Sequence, residues 1–158
     1  MVKIEIRRIE DNDIELMKEW LKKEHVSKWY HDPEDWLYEI KERNGEFNFL
    51  HHFIVLDGDK AIGFCQYYEY KYSGEDWNCY IPLEGTYSID YLIGDETYLG
   101  KGYGKAIVRT LTNQCFACDN AKRIIVQPEE ENDASCNTLL SEGYYVFDSK
   151  NKLYYKGK

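Results

Sequence analysis

Apolar and polar positions along the chain change their period repeatedly, and each change marks the boundary of a predicted element. Alternation, or a short run of β-branched and aromatic residues, predicts strands near residues 3–8, 51–56, 61–70, 87–93, 123–126, 144–147 and 152–156. Gly58 and Asp59 separate the second strand from the third, which predicts an antiparallel hairpin. The last two strands surround Asn151 and predict a second hairpin.

Between these strands the apolar residues recur every three or four positions, which is typical of a helix with one buried face. This spacing predicts helices that begin after Asp11 or Asn12, at His25, at Pro33, after Gly104 and after Asn132. The second helix is predicted to continue to Tyr30, and residues 71–85 are predicted to form a polar loop. The order of elements predicts an α/β fold, a mixed and mostly antiparallel sheet flanked by helices.

Length and charge limit the classes of protein. A chain of 158 residues predicts a single domain over residues 1–158 with a sizeable core. The net charge of −9 argues against nucleic acid as a partner, because phosphate backbones require basic patches. It either favours a cationic substrate or only keeps the protein soluble. No apolar run approaches 18 residues, so no membrane partner is predicted, and the sequence leaves the oligomeric state open.

The cysteines and histidines predict a location and argue against a metal. Five cysteines within apolar patterns suit a reducing cytoplasm, and the first residues alternate like a strand rather than a signal peptide. Cys115 and Cys118 have no second pair at a suitable spacing, and His51 and His52 have no third ligand. The sequence therefore predicts a cytoplasmic protein without a metal site.

Three alternate glycines follow the strand at 87–93 and precede a helical pattern. Gly100, Gly102 and Gly104 predict a loop that presents free backbone N–H groups and the positive end of a helix to an anion. Lys101, Lys105 and Arg109 would lie along one flank of that helix. The spacing fits neither the dinucleotide fingerprint nor the Walker loop, so it predicts either a phosphate site of another kind or only a tight turn ahead of the helix.

The stretch Leu99-Gly-Lys-Gly-Tyr-Gly104 resembles the pyrophosphate loop of the GCN5-related N-acetyltransferase (GNAT) family. Leu99 stands where the general pattern has Gln or Arg, and the form is closest to that of the aminoglycoside 6'-N-acetyltransferases. Other stretches that resemble these enzymes are Glu19-Trp20-Leu21, His25 to Tyr30, Ala61 to Phe64, Ile89-Asp90, Pro128 with Asn132, and Glu142 to Tyr144. The resemblance covers nearly the whole chain and implies the GNAT fold.

The resemblance implies an acetyl-CoA site with three parts. The phosphates would be held by Leu99, Gly100, Lys101, Gly102, Tyr103, Gly104 and Lys105. The family polarises the thioester oxygen with a backbone N–H where the central strand leaves its neighbour, which by position implies Leu92, with Ile93 holding the pantetheine arm. Asn132 and Ser135 would contact the coenzyme, although Asn132 could instead cap its helix and Ser135 could bond its own backbone.

Asp90 is the candidate base for the acceptor amine, because it lies in an otherwise apolar strand and matches a carboxylate of the aminoglycoside enzymes. Alternatively it points to solvent or pairs with a basic residue. An acceptor site could be formed by Trp29, Tyr30, Glu75, Asp76, Trp77 and Asp90. Aromatic rings would cover the faces of a sugar and carboxylates would bind its ammonium groups, unless these residues are merely core and solvated side chains.

One residue departs from the family at a catalytic position. Many members protonate the leaving thiolate with a Tyr four residues before the glycine that ends the last helix, and this chain has Leu139 there. The leading hypothesis is an acetyl-CoA-dependent N-acetyltransferase that acetylates an amine of a small molecule, possibly an aminoglycoside-like 6'-amine, and so confers antibiotic resistance. The alternatives are an N-acyltransferase of the kind used in siderophore biosynthesis and an acyl-CoA-binding module without turnover.

Overall fold

The computed structural model describes residues 2–129 and 131–158. Its strands are β1 (Glu5–Arg8), β2 (Leu50–Asp57), β3 (Lys60–Glu69), β4 (Thr86–Ile93), β5 (Arg123–Val126), β6 (Tyr145–Asp148) and β7 (Leu153–Gly157). Its helices are α1 (Ile14–Lys22), α2 (Glu24–Ser27), α3 (Pro33–Lys41), α4 (Tyr103–Phe116) and α5 (Asp133–Ser141). The predicted α/β architecture is confirmed, and most element boundaries agree within two or three residues.

The strands form one seven-stranded sheet in the order β1-β2-β3-β4-β5-β7-β6. Every neighbouring pair is antiparallel except β4 and β5, which run parallel and share only the register pairs Thr86–Arg123 and Tyr87–Ile124. In the described chain no strand pairs with the β5 side of β4 beyond Tyr87. The two central strands therefore separate, and a gap opens in the middle of the sheet.

Each face of the sheet carries its own helices, and β4 contributes to both cores. Tyr87 and Ile89 pack with the inner side of α4, whereas Leu92 packs with α1. Because successive side chains of a strand point to opposite faces, the odd residues of β4 face α4 and α5 and the even ones face α1 to α3. Within the described residues no helix has the length and apolar character needed to cross a membrane.

The predicted second helix is shorter in the structure and excludes the two aromatic residues at its end. It spans Glu24–Ser27, and Trp29 and Tyr30 follow it in a turn. The residue before a proline is disfavoured in the helical conformation, and Asp32 before Pro33 adopts a φ of 54°. The N–H groups of Trp29 and Tyr30 both donate to the carbonyl of Val26, at 3.0 and 2.9 Å, so the chain turns directly after α2. Tyr30 then packs edge-on against Trp36 of α3 at 4.9 Å.

Gly94 fixes the approach of α1 to the end of β4. A Cβ placed on this glycine would lie 2.2 Å from the ring of Trp20, which is itself 3% exposed. Gly94→Ala is expected to lower the free energy of unfolding by about 3 kcal/mol, because a buried indole has to move. Urea denaturation measures this change. Gly45→Ala is the control, since its Cβ would meet nothing closer than 3.8 Å, and equal midpoints for the two variants would contradict the prediction.

Candidate active site

A cleft of about 1110 Å³ occupies the gap between β4 and β5 and reaches both faces of the sheet. On the face of α4 and α5 its lining includes Tyr91, Gly104 and Ser135. On the opposite face it includes Gln66 and Asp90. A molecule on one face can therefore meet a molecule on the other face at the edge of β4.

The glycine loop leads directly into the N-terminus of α4. Gly100 and Gly102 have φ values of 72° and 87°, a left-handed conformation that disfavours other residues. The first hydrogen bond of α4 runs from Ala106 N to Gly102 O at 3.3 Å, so the N–H groups of residues 103–105 have no acceptor within the helix. No side chain in the described chain caps this end, and its first turn contains no acid. These free donors at the positive end of a helix suit a phosphate.

The side chains of the predicted loop divide into two groups. Leu99, Gly100, Gly102, Gly104 and Lys105 line the cleft. Lys101 and Tyr103 are outside its lining: Lys101 is exposed, and the ring of Tyr103 packs edge-on against Tyr98 at 4.8 Å. A contribution of Tyr103 to phosphate binding would therefore come from its backbone N–H.

Arg109 is not part of the basic flank that its spacing indicated. Its Nε and Nη2 each donate to the carboxylate of Glu142 at 2.9 Å. This bidentate ion pair links α4 to Glu142, the residue that follows α5. Spacing along a helix does not record this ion pair, because the pair depends on a contact between distant segments.

The backbone N–H groups that face the gap belong to Tyr91 and Ile93, and this corrects the prediction for Leu92. Antiparallel strands bond at alternate residue pairs, and Gly94 N donates to Ile62 O at 2.8 Å. In the same register Leu92 and Phe64, two residues before Gly94 on β4, also form a hydrogen-bonded pair. The N–H of Leu92 therefore points towards β3 and away from the gap. The side chain of Leu92 still lines the cleft.

The carbonyl groups of the same two residues support this orientation. The hydroxyl of Tyr30 donates to the carbonyl of Tyr91, and Nε2 of His25 bonds the carbonyl of Ile93 at 2.8 Å. Both carbonyl groups lie on the side of β4 where no strand pairs with it beyond Tyr87. Side chains from α2 and the turn after it therefore replace the missing ladder on the carbonyl groups and leave the N–H groups of Tyr91 and Ile93 facing the gap.

Asp90 lies inside the cleft and is held by an amide. Its Oδ2 accepts a hydrogen bond of 2.8 Å from Nε2 of Gln66, the residue beside it on β3. Burial raises the pKa of Asp90 to about 6, while the bond from Gln66 opposes this shift and the charge of Glu75 adds to it. No Lys or Arg in the described chain forms an ion pair with Asp90. The carboxylate is therefore available to a cationic ligand.

Two polar residues of the cleft were missed from the sequence. Glu39 lies on the cleft side of α3, and burial, followed by the charges of Asp90, Asp35 and Glu75, raises its pKa to about 7. Gln66 is 2% exposed, and its Oε1 has no partner in the described chain. Signals for both existed, since Glu39 follows Trp36 at a helical spacing of three and Gln66 interrupts an apolar strand.

The proposed acceptor residues come together with one exception. Trp29, Tyr30, Glu75 and Trp77 line the cleft with Asp90, whereas Asp76 is exposed outside it. The ring of Trp77 packs edge-on against Tyr70 at 4.9 Å, and its Nε1 donates to Glu75. The loop between β3 and β4 thus brings a carboxylate and an aromatic ring to the face that carries Asp90.

The start of α5 forms the other wall of the cleft. Oδ1 of Asn132 accepts from the backbone N–H of Ser135 at 3.1 Å, so Asn132 has the capping role that was its alternative. Asn132 and Ser135 also line the cleft. The Oγ of Ser135 lies 3.2 Å from the hydroxyl of Tyr91, whereas Leu139 is fully buried. Among the described residues no group of three or more His, Cys, Asp or Glu is placed to hold a metal ion.

Solved structures share this fold. A crystal structure of aminoglycoside acetyltransferase AAC(6')-Ib in complex with coenzyme A superposes with a TM-score of 0.83 at 21% identity, covering 99% of this chain and 95% of that one. An aminoglycoside N(6')-acetyltransferase from Legionella pneumophila gives a TM-score of 0.75 at 17% identity, covering 99% and 91%. At these identities the similarity establishes the fold alone.

Sequence comparison identifies the family. The aminoglycoside N(6')-acetyltransferase type 1 of Klebsiella pneumoniae is 26% identical over 136 residues, which cover 82% of this chain and 67% of the relative. A protein of the same name from Serratia marcescens matches equally well. The family model described as acetyltransferase (GNAT) domain matches residues 10–150, nearly the whole chain. The predicted family is therefore confirmed: the chain belongs to the GNAT acetyltransferases.

Proposed function

We propose that this acetyltransferase transfers the acetyl group of acetyl-CoA to a primary amine of a small polycationic molecule, with an aminoglycoside-like 6'-amine as the leading acceptor. One observation carries the proposal: Asp90 faces the cleft beside the gap, bonded to Gln66 and unpaired with any Lys or Arg of the described chain. Such a carboxylate can bind an ammonium group and accept its proton. The curated relatives, which are aminoglycoside acetyltransferases by name, support the choice of acceptor.

The two faces of the sheet would divide the work. Backbone N–H groups at residues 103–105 and the side chain of Lys105 would hold the coenzyme phosphates on the face of α4. The N–H groups of Tyr91 and Ile93 face the gap, where they can donate to the thioester oxygen as it gains negative charge. Asp90 would receive the amine from the opposite face. β4 thus aligns the thioester and the amine from its two sides.

Charge supports a cationic acceptor. Asp35, Glu39, Glu75 and Asp90 all line the acceptor side of the cleft. Burial and then the charges of the other three raise the pKa of Glu39 to about 7, so the four carboxylates repel one another without a ligand. An acceptor with several ammonium groups would relieve that repulsion. A neutral or anionic acceptor would increase it.

The pH dependence of the reaction follows from Asp90. Its carboxylate is the form that accepts a proton, and its pKa of about 6 means that this form is lost as the pH falls. We expect kcat/KM for the amine to fall tenfold per pH unit below about pH 6, since that ratio reports the free enzyme. The acid limb of kcat should lie at lower pH, because a bound ammonium group favours the ionised carboxyl. A pH profile without an acid limb between pH 5 and 7 would contradict this assignment.

A thiol-release assay with a panel of amines tests the function. Acetyl-CoA is supplied with aminoglycosides that carry a 6'-amine, with the matching 6'-hydroxyl compounds, and with hydroxylamines of the kind acylated in siderophore assembly. Turnover with the 6'-amines alone supports the proposal. Turnover with hydroxylamines alone favours the siderophore-type reaction, and coenzyme binding without thiol release on any amine favours a binding module.

We also propose that the protein acts as a single domain in the cytoplasm. All five cysteines are free, and Cys65 and Cys115 are buried. Burial raises the pKa of both thiols far above its usual range, which keeps them protonated and unreactive. This use of cysteine suits a reducing compartment.

A further inference from the structure

The chemistry of acetyl transfer leaves one proton without an assigned donor. When the thioester is cleaved, the sulfur leaves as a thiolate, and a buried thiolate is disfavoured by its surroundings. Leu139, the residue of α5 at the expected donor position, has no acidic hydrogen and is fully buried. The donor has to lie on the face of α4 and α5, because the coenzyme phosphates are held there.

Tyr91 places a phenol at this position from the strand instead of the helix. It is an odd residue of β4, so its ring points to the face of α4 and α5 and lines the cleft. A Cβ on Gly104 would lie 4.0 Å from the ring, which puts Tyr91 beside the phosphate loop. Its hydroxyl lies 3.2 Å from Oγ of Ser135, one turn before Leu139 on α5.

Other hydroxyl groups near the gap are less suited to the role. The hydroxyl of Tyr30 donates to the carbonyl of Tyr91 and lies on the acceptor side with Asp90. Ser135 is an alcohol, whose proton is far less acidic than that of a phenol. Burial raises the pKa of Tyr91, so its hydroxyl stays protonated at neutral pH.

We propose that Tyr91 donates the proton to the leaving thiolate of the coenzyme. The inference rests on the proposed function, because it names the acid of that reaction. The backbone N–H of Tyr91 also faces the gap where the thioester oxygen would be held. One residue of β4 would therefore serve the carbonyl oxygen through its backbone and the sulfur of the same thioester through its side chain.

The proton balance is complete. As the tetrahedral centre collapses, the C–S bond breaks, its electron pair goes to sulfur, and sulfur takes the hydrogen of the Tyr91 hydroxyl. The ammonium of the acceptor loses two protons in forming the amide: the first passes to Asp90 and from there to solvent, and the second leaves the nitrogen of the tetrahedral intermediate for solvent. The phenolate of Tyr91 regains one proton from solvent through Ser135. One proton is released overall for each thiol and amide formed.

Tyr91→Phe tests the proposal, because it removes the hydroxyl and keeps the ring. We expect kcat for thiol release to fall about 100-fold, at the weak end of general-acid effects because a thiolate leaves tolerably unaided. The dissociation constant of coenzyme A, measured by calorimetry, should stay within about twofold. The solvent deuterium isotope effect on kcat should be clearly above one in the wild type and near one in Tyr91→Phe, because the variant would expel the thiolate without transfer of a proton. Tyr145→Phe is the matched control, since Tyr145 is half exposed on β6 outside the cleft and should keep the wild-type kcat.

The outcomes separate this inference from the proposed function. A wild-type protein that releases no thiol with any amine overturns both. A wild-type protein that turns over while Tyr91→Phe keeps kcat within twofold overturns only the role of Tyr91. A variant that loses coenzyme affinity with kcat unchanged also overturns it, because the hydroxyl would then be a binding contact.

Discussion

Asp90→Asn is expected to lower kcat/KM for the acceptor amine by roughly 10³-fold, which is within the range for loss of a general base. The substituted amide has the shape of the carboxylate and can keep a hydrogen bond to Gln66. It can neither accept a proton from the amine nor attract its ammonium form. The dissociation constant of coenzyme A should be unchanged, because the phosphate loop lies on the other face of the sheet. Steady-state thiol release and calorimetry measure the two quantities.

The same substitution is expected to stabilise the free protein at neutral pH. The pKa of Asp90 rises from its usual 3.8 to about 6 in the folded state, so folding holds the proton more tightly than the unfolded chain does. The ionised carboxyl therefore lowers stability as the pH rises through about 4 to 6. At pH 7 Asp90→Asn should raise the free energy of unfolding by about 3 kcal/mol, and below pH 4 it should raise it little.

Asp76→Asn is the matched control, since Asp76 is exposed on the loop after β3 and lies outside the cleft. It should change neither kcat/KM nor the pH dependence of unfolding. An Asp90→Asn variant with undiminished kcat/KM would remove Asp90 from the mechanism. A variant that loses activity and is also less stable at pH 7 would mean that the charge of Asp90 is satisfied in the free protein.

Gly102→Val is expected to weaken coenzyme binding by about 100-fold. Gly102 has a φ of 87° at the N-cap of α4, a conformation that a β-branched residue adopts only with strain. Relief of that strain would turn the following N–H groups away from the phosphates. The loss of two hydrogen bonds to a charged group, at about 1.5 kcal/mol each, corresponds to that factor. Calorimetric titration with coenzyme A measures it.

Gly58→Val separates backbone strain from phosphate binding. Gly58 has a φ of 61° in the turn between β2 and β3, and a Cβ there would meet nothing within 4 Å. Its substitution should lower stability by an amount similar to that of Gly102→Val and leave coenzyme affinity unchanged. Equal loss of affinity in both variants would show that general destabilisation, rather than the loop, weakens binding.

Most of the fold could be predicted from the sequence, because the boundaries of strands and helices are recorded in the spacing of neighbouring residues. The period of apolar residues depends only on whether one face of a strand or helix is buried, so the strands and all five helices were predicted. Gly143 was predicted to end α5 and adopts a φ of 92°. The second helix was predicted too long, because the N–H groups of Trp29 and Tyr30 share the carbonyl of Val26 in a turn that periodicity does not record.

The sequence by itself therefore determined the family, the glycine loop before α4 and the carboxylate within β4, since each is recorded in the order of residues along the chain. Only the tertiary structure decided which donors and acceptors remain free. The pairing of β3 with β4 directs the N–H of Leu92 into the sheet and those of Tyr91 and Ile93 into the gap. Packing of α5 against α4 places Arg109 in an ion pair with Glu142. The position of α3 places Glu39 at the cleft. These roles were hidden in the sequence because they depend on hydrogen bonds and burial between segments distant along the chain.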